Sequence, residues 1–117
     1  MNGERILVVE DDFLTALEIA RILKEAGSEI VGPVGSFEDA LSLATGAVID
    51  AAVLDINLDG FRVYDVAGVL SLRHIPFLFV TGYRLESLPK AFLDVPVMAK
   101  PLDPDRLVGA VHRLMPE

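Results

Sequence analysis

The sequence predicts an α/β protein with a single doubly wound, five-stranded parallel sheet. Short apolar runs rich in β-branched residues alternate with longer amphipathic stretches from one end of the chain to the other. The chain has 117 residues, a usual size for one domain, and contains no repeat, linker or low-complexity tract. Strands that alternate with helices are typical of a parallel sheet covered on both faces.

Five apolar runs are predicted to form the strands. They are RILVV (5–9), EIVGPV (29–34), AAVLDI (51–56), PFLFVTG (76–82) and VPVMAK (95–100). Continuous apolar runs of this length suit strands that are buried on both faces.

Five helical segments are predicted to alternate with these strands, over residues 13–27, 36–46, 63–73, 84–93 and 103–115. The first ends at Gly27, a C-cap signal, and its apolar residues recur with helical spacing at Leu14, Leu17, Ile19, Ala20 and Leu23. Phe13, Phe37 and Phe92 are expected to pack in the interior.

Helix-start signals support two of these segments. Ser36 is a predicted N-cap with Asp39 three residues later, and Asp103 precedes Pro104 at the first helical position. Pro89 weakens the helix prediction for residues 84–93. Residues 84–95, which mix apolar and polar side chains, are open between loop, short helix and partner surface.

Composition excludes several classes of function. The absence of cysteine excludes a disulfide scaffold, a thiolate metal site and a cysteine nucleophile. The net charge of −8 disfavours direct binding to nucleic acid. No stretch is apolar for long enough to span a membrane, and we expect a soluble cytoplasmic protein.

Polar residues follow four of the predicted strands. Glu10, Asp11 and Asp12 end the first, Asp55 the third, Thr81 the fourth and Lys100 the fifth. Ligands of such sheets bind beyond the carboxyl ends of the strands. Carboxylates from two strands, with a backbone carbonyl near Asn57, are suited to Mg²⁺ or Mn²⁺, and a divalent cation would relieve the repulsion among the acids. An alternative is that Asp11 or Asp12 caps the first helix without a metal; we assign Asp12 to the cap or to the rim of the site.

The stretches VVEDD, VLDINLDG, FVTG and AKP stand in the order and at the spacing of the functional positions of response-regulator receiver domains. The chain resembles that family over essentially its whole length, so residues 1–117 are expected to form one receiver domain. The resemblance implies the flavodoxin-like strand order 2-1-3-4-5.

The resemblance also implies a role for each motif residue. Asp55 corresponds to the phosphoacceptor, Glu10 and Asp11 to the acidic pair that holds Mg²⁺, and Asn57 to the position that lends a backbone carbonyl. Thr81 resembles the switch hydroxyl.

Two adjacent residues complete this set. Lys100 resembles the lysine that contacts the phosphoryl group, and Pro101 resembles the family's cis-proline.

A finer resemblance concerns IPFLFVTGY (75–83) and VPVMAKPLDPDRL (95–107). These segments are similar to the FAT GUY subclass of receivers, with Val80 in place of a small alanine. The subclass commonly occurs with HWE-type histidine kinases in alphaproteobacteria.

One position departs from the family pattern. Many receivers have Tyr or Phe three residues before the lysine, where this chain has Val97. We hypothesise that Gly82 and Tyr83 replace the usual threonine–aromatic coupling through a mobile loop, which relaxation measurements on residues 82–93 would test.

The favoured function is a phosphoacceptor switch rather than an enzyme with a separate substrate, apart from slow autodephosphorylation. Its expected partners are a histidine kinase or phosphotransferase and a downstream protein target, and it is expected to be a monomer or weak homodimer. Because the chain ends at Glu117, output is expected through protein contacts, phosphate relay or a domain outside this sequence.

Two other classes of function stay open. One is a receiver-like interaction module that takes no phosphate, for which Val97 is the only hint. The other is a Mg²⁺-dependent phosphohydrolase, which is disfavoured because Asp55 lies on the third strand rather than the first.

Overall fold

The protein is described by a computed structural model that covers residues 2–82 and 88–116. Its central sheet has five parallel strands: β1 (Arg5–Val9), β2 (Glu29–Val34), β3 (Ala51–Asp55), β4 (Phe77–Thr81) and β5 (Val97–Ala99). They lie in the order 2-1-3-4-5, which confirms the predicted doubly wound fold. Because all strands run in one direction, their carboxyl ends meet at one edge of the sheet.

Four α-helices in the described part of the chain cover the sheet: α1 (Phe13–Glu25), α2 (Phe37–Gly46), α3 (Tyr64–Leu72) and α4 (Pro104–Leu114). One apolar core includes α2, α3 and one face of the sheet, and a second includes α1, α4 and the opposite face. Ser36 Oγ accepts a hydrogen bond from the Asp39 N–H at 3.1 Å, and Asp103 Oδ1 accepts one from the Asp105 N–H at 3.0 Å. Both predicted N-caps are therefore confirmed.

The predicted segment 84–93 differs from the other helices. Its described part forms a 3₁₀ turn, Lys90–Phe92, that begins after Pro89, while residues 83–87 lie outside the described residues. The buried Phe92 ring packs against Tyr64, Phe77 and Phe79. Within residues 2–82 and 88–116, no helix has both the length and the apolar character needed to cross a bilayer.

The buried face of α1 is only partly the predicted one. Ile19, Ala20 and Leu23 are buried, but Leu14 and Leu17 are exposed. The buried stripe starts instead at Ala16 and continues with the spacing of three, four and seven residues that a core-facing helix requires. The expectation that Phe13 packs in the interior was also wrong, since its ring is exposed in the first turn.

A short antiparallel hairpin follows β3 and was not predicted. Asn57 and Leu58 pair with Phe61 and Arg62, and the two residues between them have positive φ, 48° at Asp59 and 89° at Gly60. Two consecutive positive φ values are the signature of a type I′ turn, for which Asp-Gly is a preferred sequence. The hairpin places residues 57–62 beside the carboxyl edge of the sheet.

Candidate functional site

Three carboxylates converge at the carboxyl edge of the sheet. Glu10 and Asp11 follow β1, and Asp55 is the last residue of β3, the strand that pairs directly with β1. One oxygen from each lies within 4.8 Å of the others. Glu10 and Asp55 are buried while Asp11 is exposed, so the cluster opens to solvent on one side.

Lys100 brings the positive charge into this cluster. Its Nζ lies 2.6 Å from Glu10 Oε1 and 3.6 Å from Asp55 Oδ2. Lys100 follows β5, the N–H of Lys100 donates to the Thr81 carbonyl at 2.9 Å, and the peptide bond to Pro101 is cis. Strands β4 and β5 thus fix the position of the Lys100 ammonium beside the carboxylates.

Burial and charge shift the pKa values of the cluster. Burial, followed by the neighbouring Glu10 carboxylate, raises the pKa of Asp55 to about 8, although the Lys100 charge opposes this. Burial alone would lower the pKa of Lys100, but the hydrogen bond with Glu10 and the charges of Asp55 and Glu10 raise it above its ordinary value. The ammonium therefore stays charged.

Asp11 responds in the opposite direction to Asp55. Burial acts to raise its pKa, but hydrogen bonds with the Asp55 side chain and with the Asp59 backbone N–H outweigh this and lower it. Asp11 is accordingly the solvent-facing member of the cluster, and its surroundings favour its ionised form.

Backbone N–H groups orient the carboxylates. Asp12 donates to Glu10 Oε2 at 3.1 Å, Asn57 donates to Asp55 Oδ1 at 3.3 Å, and Asp59 donates to Asp11 Oδ2 at 3.0 Å. The last two donors belong to the hairpin, so the turn after β3 contributes to the site as well as the strands.

Asp12 stands at the N-cap position of α1, as one alternative for the acids required. Its side chain makes no hydrogen bond to a backbone N–H of the helix and instead accepts one from Thr15 Oγ1 at 2.6 Å. It also lines an open cavity beside the three carboxylates. The capping explanation does not extend to Glu10 or Asp11. Glu10 accepts a hydrogen bond from the Asp12 N–H and pairs with Lys100, and Asp11 accepts a hydrogen bond from the Asp59 N–H.

The donor set fits a hard divalent cation. An open cavity of about 550 Å³, which we call the acid cavity, is lined by Asp11, Asp12, Asp55, Asn57, Asp59, Gly60, Gly82 and Lys100. Glu10 Oε1 is fully buried, and the Lys100 ammonium 2.6 Å away balances its charge. Oxygen ligands with room for retained water are what Mg²⁺ and Mn²⁺ prefer.

The remaining predicted site residues are Thr81, Gly82, Val97 and Tyr83, and not all of them line the acid cavity. Thr81 is buried at the end of β4 and pairs with Ala99. Gly82 lines the cavity. Val97 lies on the edge strand β5, is 39% exposed and borders a groove against α4. Tyr83, the other predicted switch residue, lies outside the described residues.

Two residues of the site were missed at the level of sequence. Asp59 holds Asp11 through its backbone N–H, and the Asp-Gly pair in NLDG is a hairpin signal that could have located it. Gly35 is the second: a Cβ built there would lie 3.1 Å from the Glu10 carbonyl oxygen and 3.2 Å from Asp11 Cα. No local pattern around Gly35 indicates this close approach, because the two segments are distant in sequence.

Comparison with known proteins identifies the family to which this geometry corresponds. The family profile of the response regulator receiver domain matches residues 6–112. The transcriptional regulatory protein PdtaR of Mycobacterium tuberculosis is 29% identical over 112 residues, which cover 92% of this chain and 55% of PdtaR. The transcriptional regulatory protein YpdB of Escherichia coli is 30% identical over 116 residues, which cover 94% of this chain and 47% of YpdB.

A solved structure gives the same result at the level of the fold. The solution structure of SdrG from Sphingomonas melonis Fr1 superposes with a TM-score of 0.84 at 37% identity, covering 96% of each chain. The chain spans about half the length of the curated relatives named above.

Proposed function

The chain belongs to the response regulator receiver domain family, and from this premise we propose that residues 1–117 form a receiver domain that accepts a phosphoryl group on Asp55. In the proposed reaction, an Asp55 carboxylate oxygen attacks the phosphorus of a phosphohistidine. The new bond is an aspartyl phosphate, and the bond that breaks joins phosphorus to the imidazole nitrogen, which keeps the electron pair.

One observation carries this proposal. Asp55 is a buried carboxylate whose neighbours are two further acids, within 4.8 Å, and the Lys100 ammonium, at 3.6 Å. A structural acid would gain nothing from two acidic neighbours, since like charges raise its pKa and oppose its ionisation. A nucleophile at which negative phosphoryl oxygens must arrive needs positive charge placed beforehand, and Lys100 supplies part of it.

We propose distinct roles for the other cavity residues. After transfer, Lys100 Nζ contacts a phosphoryl oxygen. Part of the present ion pair between Lys100 and Asp55 is then replaced by a charge-assisted hydrogen bond to the phosphoryl group. The Thr81 hydroxyl donates to another phosphoryl oxygen, and its change of partner is the start of the conformational switch. Gly82, Tyr83 and Val97 stay in the proposed switch region.

Glu10, Asp11 and Asp55, with the backbone carbonyl of Asn57, are proposed to hold Mg²⁺ or Mn²⁺. A bound divalent cation would supply charge stabilisation for the moving phosphoryl group. The chain's own contribution is to fix the carboxylates through the N–H groups of Asp12, Asn57 and Asp59.

The proposed donor is a histidine kinase, of the HWE type if the chain belongs to the FAT GUY subclass, or a histidine phosphotransferase. Phe13, Leu14 and Leu17 form an exposed apolar patch at the start of α1, directly after Asp12. Such a patch beside the nucleophile suits a helix of the donor protein. We further propose a downstream protein target and a monomer or weak homodimer.

The proposed chemistry is tested with acetyl phosphate, which needs no partner protein. The full chain is incubated with Mg²⁺ and acetyl phosphate, and intact mass spectrometry measures the addition of one phosphoryl group. We expect addition to wild type and to Asp94→Asn, a matched control at an exposed acid away from the cavity. Asp55→Asn and a sample with EDTA are expected to show none.

Each result has a definite meaning. Labelling that persists in Asp55→Asn would reject Asp55 as the acceptor. A folded wild-type chain that is labelled neither by acetyl phosphate nor by a phosphorylated kinase core would reject the phosphoacceptor function in favour of an interaction module.

A further inference from the structure

An open groove lies beside the acid cavity, between the start of α2 and the hairpin of residues 57–62. We call it the aromatic groove; its volume is about 500 Å³. Asp11 and Asp59 line both the groove and the acid cavity. The groove therefore adjoins the cavity through which a phosphoryl donor reaches Asp55.

Two aromatic rings form the apolar surface of the groove. The ring centroids of Phe37 and Phe61 are 5.9 Å apart with an interplanar angle of 32°. Phe37 is half-buried, whereas Phe61 is 63% exposed and its partner across the hairpin, Leu58, is buried. An exposed ring supported by a second ring offers a flat, rigid contact surface to a partner.

Carboxylates form the rim. Asp11, Glu38 and Asp59 line the groove and are exposed, and none of the described residues that line it carries a positive charge. The N-terminus of α2 contributes partial positive charge here, which the acids in its first turn, Glu38 and Asp39, offset. Together with the net charge of −8, this makes the groove attractive to cations.

Aromatic faces bordered by carboxylates match the chemistry of one side chain in particular. A guanidinium stacks on aromatic rings and donates several hydrogen bonds in its own plane. A lysine ammonium holds its hydration more tightly and has no planar face to stack, so it suits the groove less well.

We propose that the aromatic groove binds an arginine side chain of the phosphohistidine-bearing donor protein and thereby helps to hold that donor over Asp55. The guanidinium lies on the Phe61 ring and donates to the Glu38 carboxylate, with Asp59 as a second negative charge at the rim of the groove. This inference rests on the proposed phosphoacceptor function. It places a second donor contact on the side of the cavity opposite the apolar patch of α1.

The backbone fixes the groove relative to the acid cavity. Gly35 lies in the turn between β2 and α2, so close to the Glu10–Asp11 backbone that a Cβ would come within 3.1 Å of the Glu10 carbonyl oxygen. The Asp59 N–H ties the hairpin to Asp11 on the other wall. A side chain anchored in the groove would consequently be held at a set distance from the nucleophile.

A first experiment measures arginine recognition directly. N-acetylarginine amide and its uncharged analogue N-acetylcitrulline amide are titrated into the full chain with saturating Mg²⁺, which keeps the acid cavity occupied, and NMR follows the ring signals of Phe37 and Phe61. We expect saturable shifts, with a Kd for the arginine amide at least threefold lower than that for the citrulline amide. Phe61→Ala should weaken binding at least threefold, whereas Leu72→Ala, an 84% exposed apolar residue at the far end of α3, should not change it.

Three outcomes of this titration would overturn the proposal. Equal affinity for the citrulline analogue would show that the groove does not recognise the positive charge of the guanidinium. Shifts confined to Asp11 and Asp12 would place the ligand in the acid cavity. Ring shifts that depend on protein concentration without ligand would identify a second copy of the chain as the occupant.

A second experiment measures the consequence for transfer, with a phosphorylated histidine kinase core selected because it labels the wild-type chain. At subsaturating donor, Phe61→Ala and Glu38→Gln should each slow transfer at least threefold, while their labelling by acetyl phosphate stays within twofold of wild type. Unchanged transfer from the kinase would overturn the docking proposal and leave the proposed function intact. Transfer from the kinase that persists in Asp55→Asn would instead reject the proposed function, because that function assigns the acceptor to Asp55.

Discussion

At the scale of single residues, burial of the acid cluster opposes the ionisation of its carboxylates, and the Lys100 ammonium favours it. Glu10 and Asp55 are buried side by side, and Lys100 contacts both while its own side chain is 23% exposed. Removal of one of these charged groups therefore changes the electrostatic free energy of the other two in the folded state. Two predictions concern this effect in the metal-free protein.

The first prediction concerns pH and Asp55. Because burial and Glu10 raise the pKa of Asp55 to about 8 from an ordinary value of 3.8, the folded state holds this proton more tightly than the unfolded state. The stability that Asp55 contributes is complete below the ordinary pKa and is lost as the pH rises through the folded pKa. With EDTA present, Asp55→Asn should raise Tm by a few degrees at about pH 9 and by less at about pH 5.5.

Thermal unfolding followed by circular dichroism measures this difference, with Asp94→Asn as the exposed control. A gain in Tm that is the same at both pH values would contradict the assigned pKa shift of Asp55.

The second prediction concerns the ion pair of Lys100 and Glu10. Lys100→Met leaves the buried Glu10 Oε1 without its cation and should lower the free energy of unfolding by about 1–2 kcal/mol. That is less than the ~3–5 kcal/mol typical of a fully buried pair, because Lys100 is partly exposed. Urea denaturation in EDTA measures it, with the exposed Lys24→Met as control.

A double variant makes the second prediction specific. Glu10→Gln combined with Lys100→Met removes both charges and should recover part of the loss. No recovery would show that Lys100 stabilises the fold by packing rather than by charge.

At the scale of elements, the connections between strands and helices decide how the site is built. The turn from β2 to α2 packs on the backbone after β1, and the hairpin after β3 supplies N–H groups to the carboxylates. The turns thus position the acids as much as the strands do.

A matched pair of glycine substitutions tests this role of the turn. Gly35→Ala places a methyl group 3.1 Å from the Glu10 carbonyl oxygen and 3.2 Å from Asp11 Cα, both backbone atoms. It should destabilise the protein by about 1–2 kcal/mol and weaken Mg²⁺ binding at Asp11. Gly68→Ala lies within α3, where the described residues outside the adjoining helix backbone place no atom within 4 Å of the new methyl group. It should therefore stabilise the protein by about 0.5–1 kcal/mol.

Urea denaturation and titration with Mg²⁺ measure the two effects. Gly35→Ala behaving like Gly68→Ala would mean that the turn yields freely and does not hold the acid residues in place.

At the scale of the whole molecule, a cation bound at one edge of the sheet is linked to global unfolding. Glu10 and Asp11 follow β1, and Asp55 ends β3, strands that lie at the centre of both cores. A ligand that bridges these ends binds only the folded chain.

We therefore expect Mg²⁺ to raise Tm in wild type, with a gain in unfolding free energy of ~2.7 kcal/mol when its concentration is a hundred times the Kd. Asp11→Asn should lose most of this gain, and Asp94→Asn should keep it. Differential scanning calorimetry at matched ionic strength with NaCl separates this binding from general screening. An equal gain with NaCl would rule out a specific cation site.

Much of the fold and part of the site could be predicted because the relevant signals are local. The five strands are apolar runs, Ser36 and Asp103 bond the helix starts that they precede, and the acids follow the strands that carry them. Strand direction then brings Glu10, Asp11 and Asp55 to one edge. By contrast, Leu14 and Leu17 fit a helical repeat as well as the buried stripe does, so periodicity alone chose the wrong face for the start of α1.

The sequence by itself determined the order of the five sheet strands and the four α-helices between and after them, the N-caps at Ser36 and Asp103, and the residue types at the strand ends, since each depends on neighbours within a few positions. Only the tertiary structure decided that Lys100 pairs with Glu10 at 2.6 Å, that Gly35 packs on the Glu10–Asp11 backbone, and that Phe37 and Phe61 form one groove. These contacts join residues that are far apart in the chain, and their geometry depends on how the strands, turns and helices pack together. No local pattern contains that information.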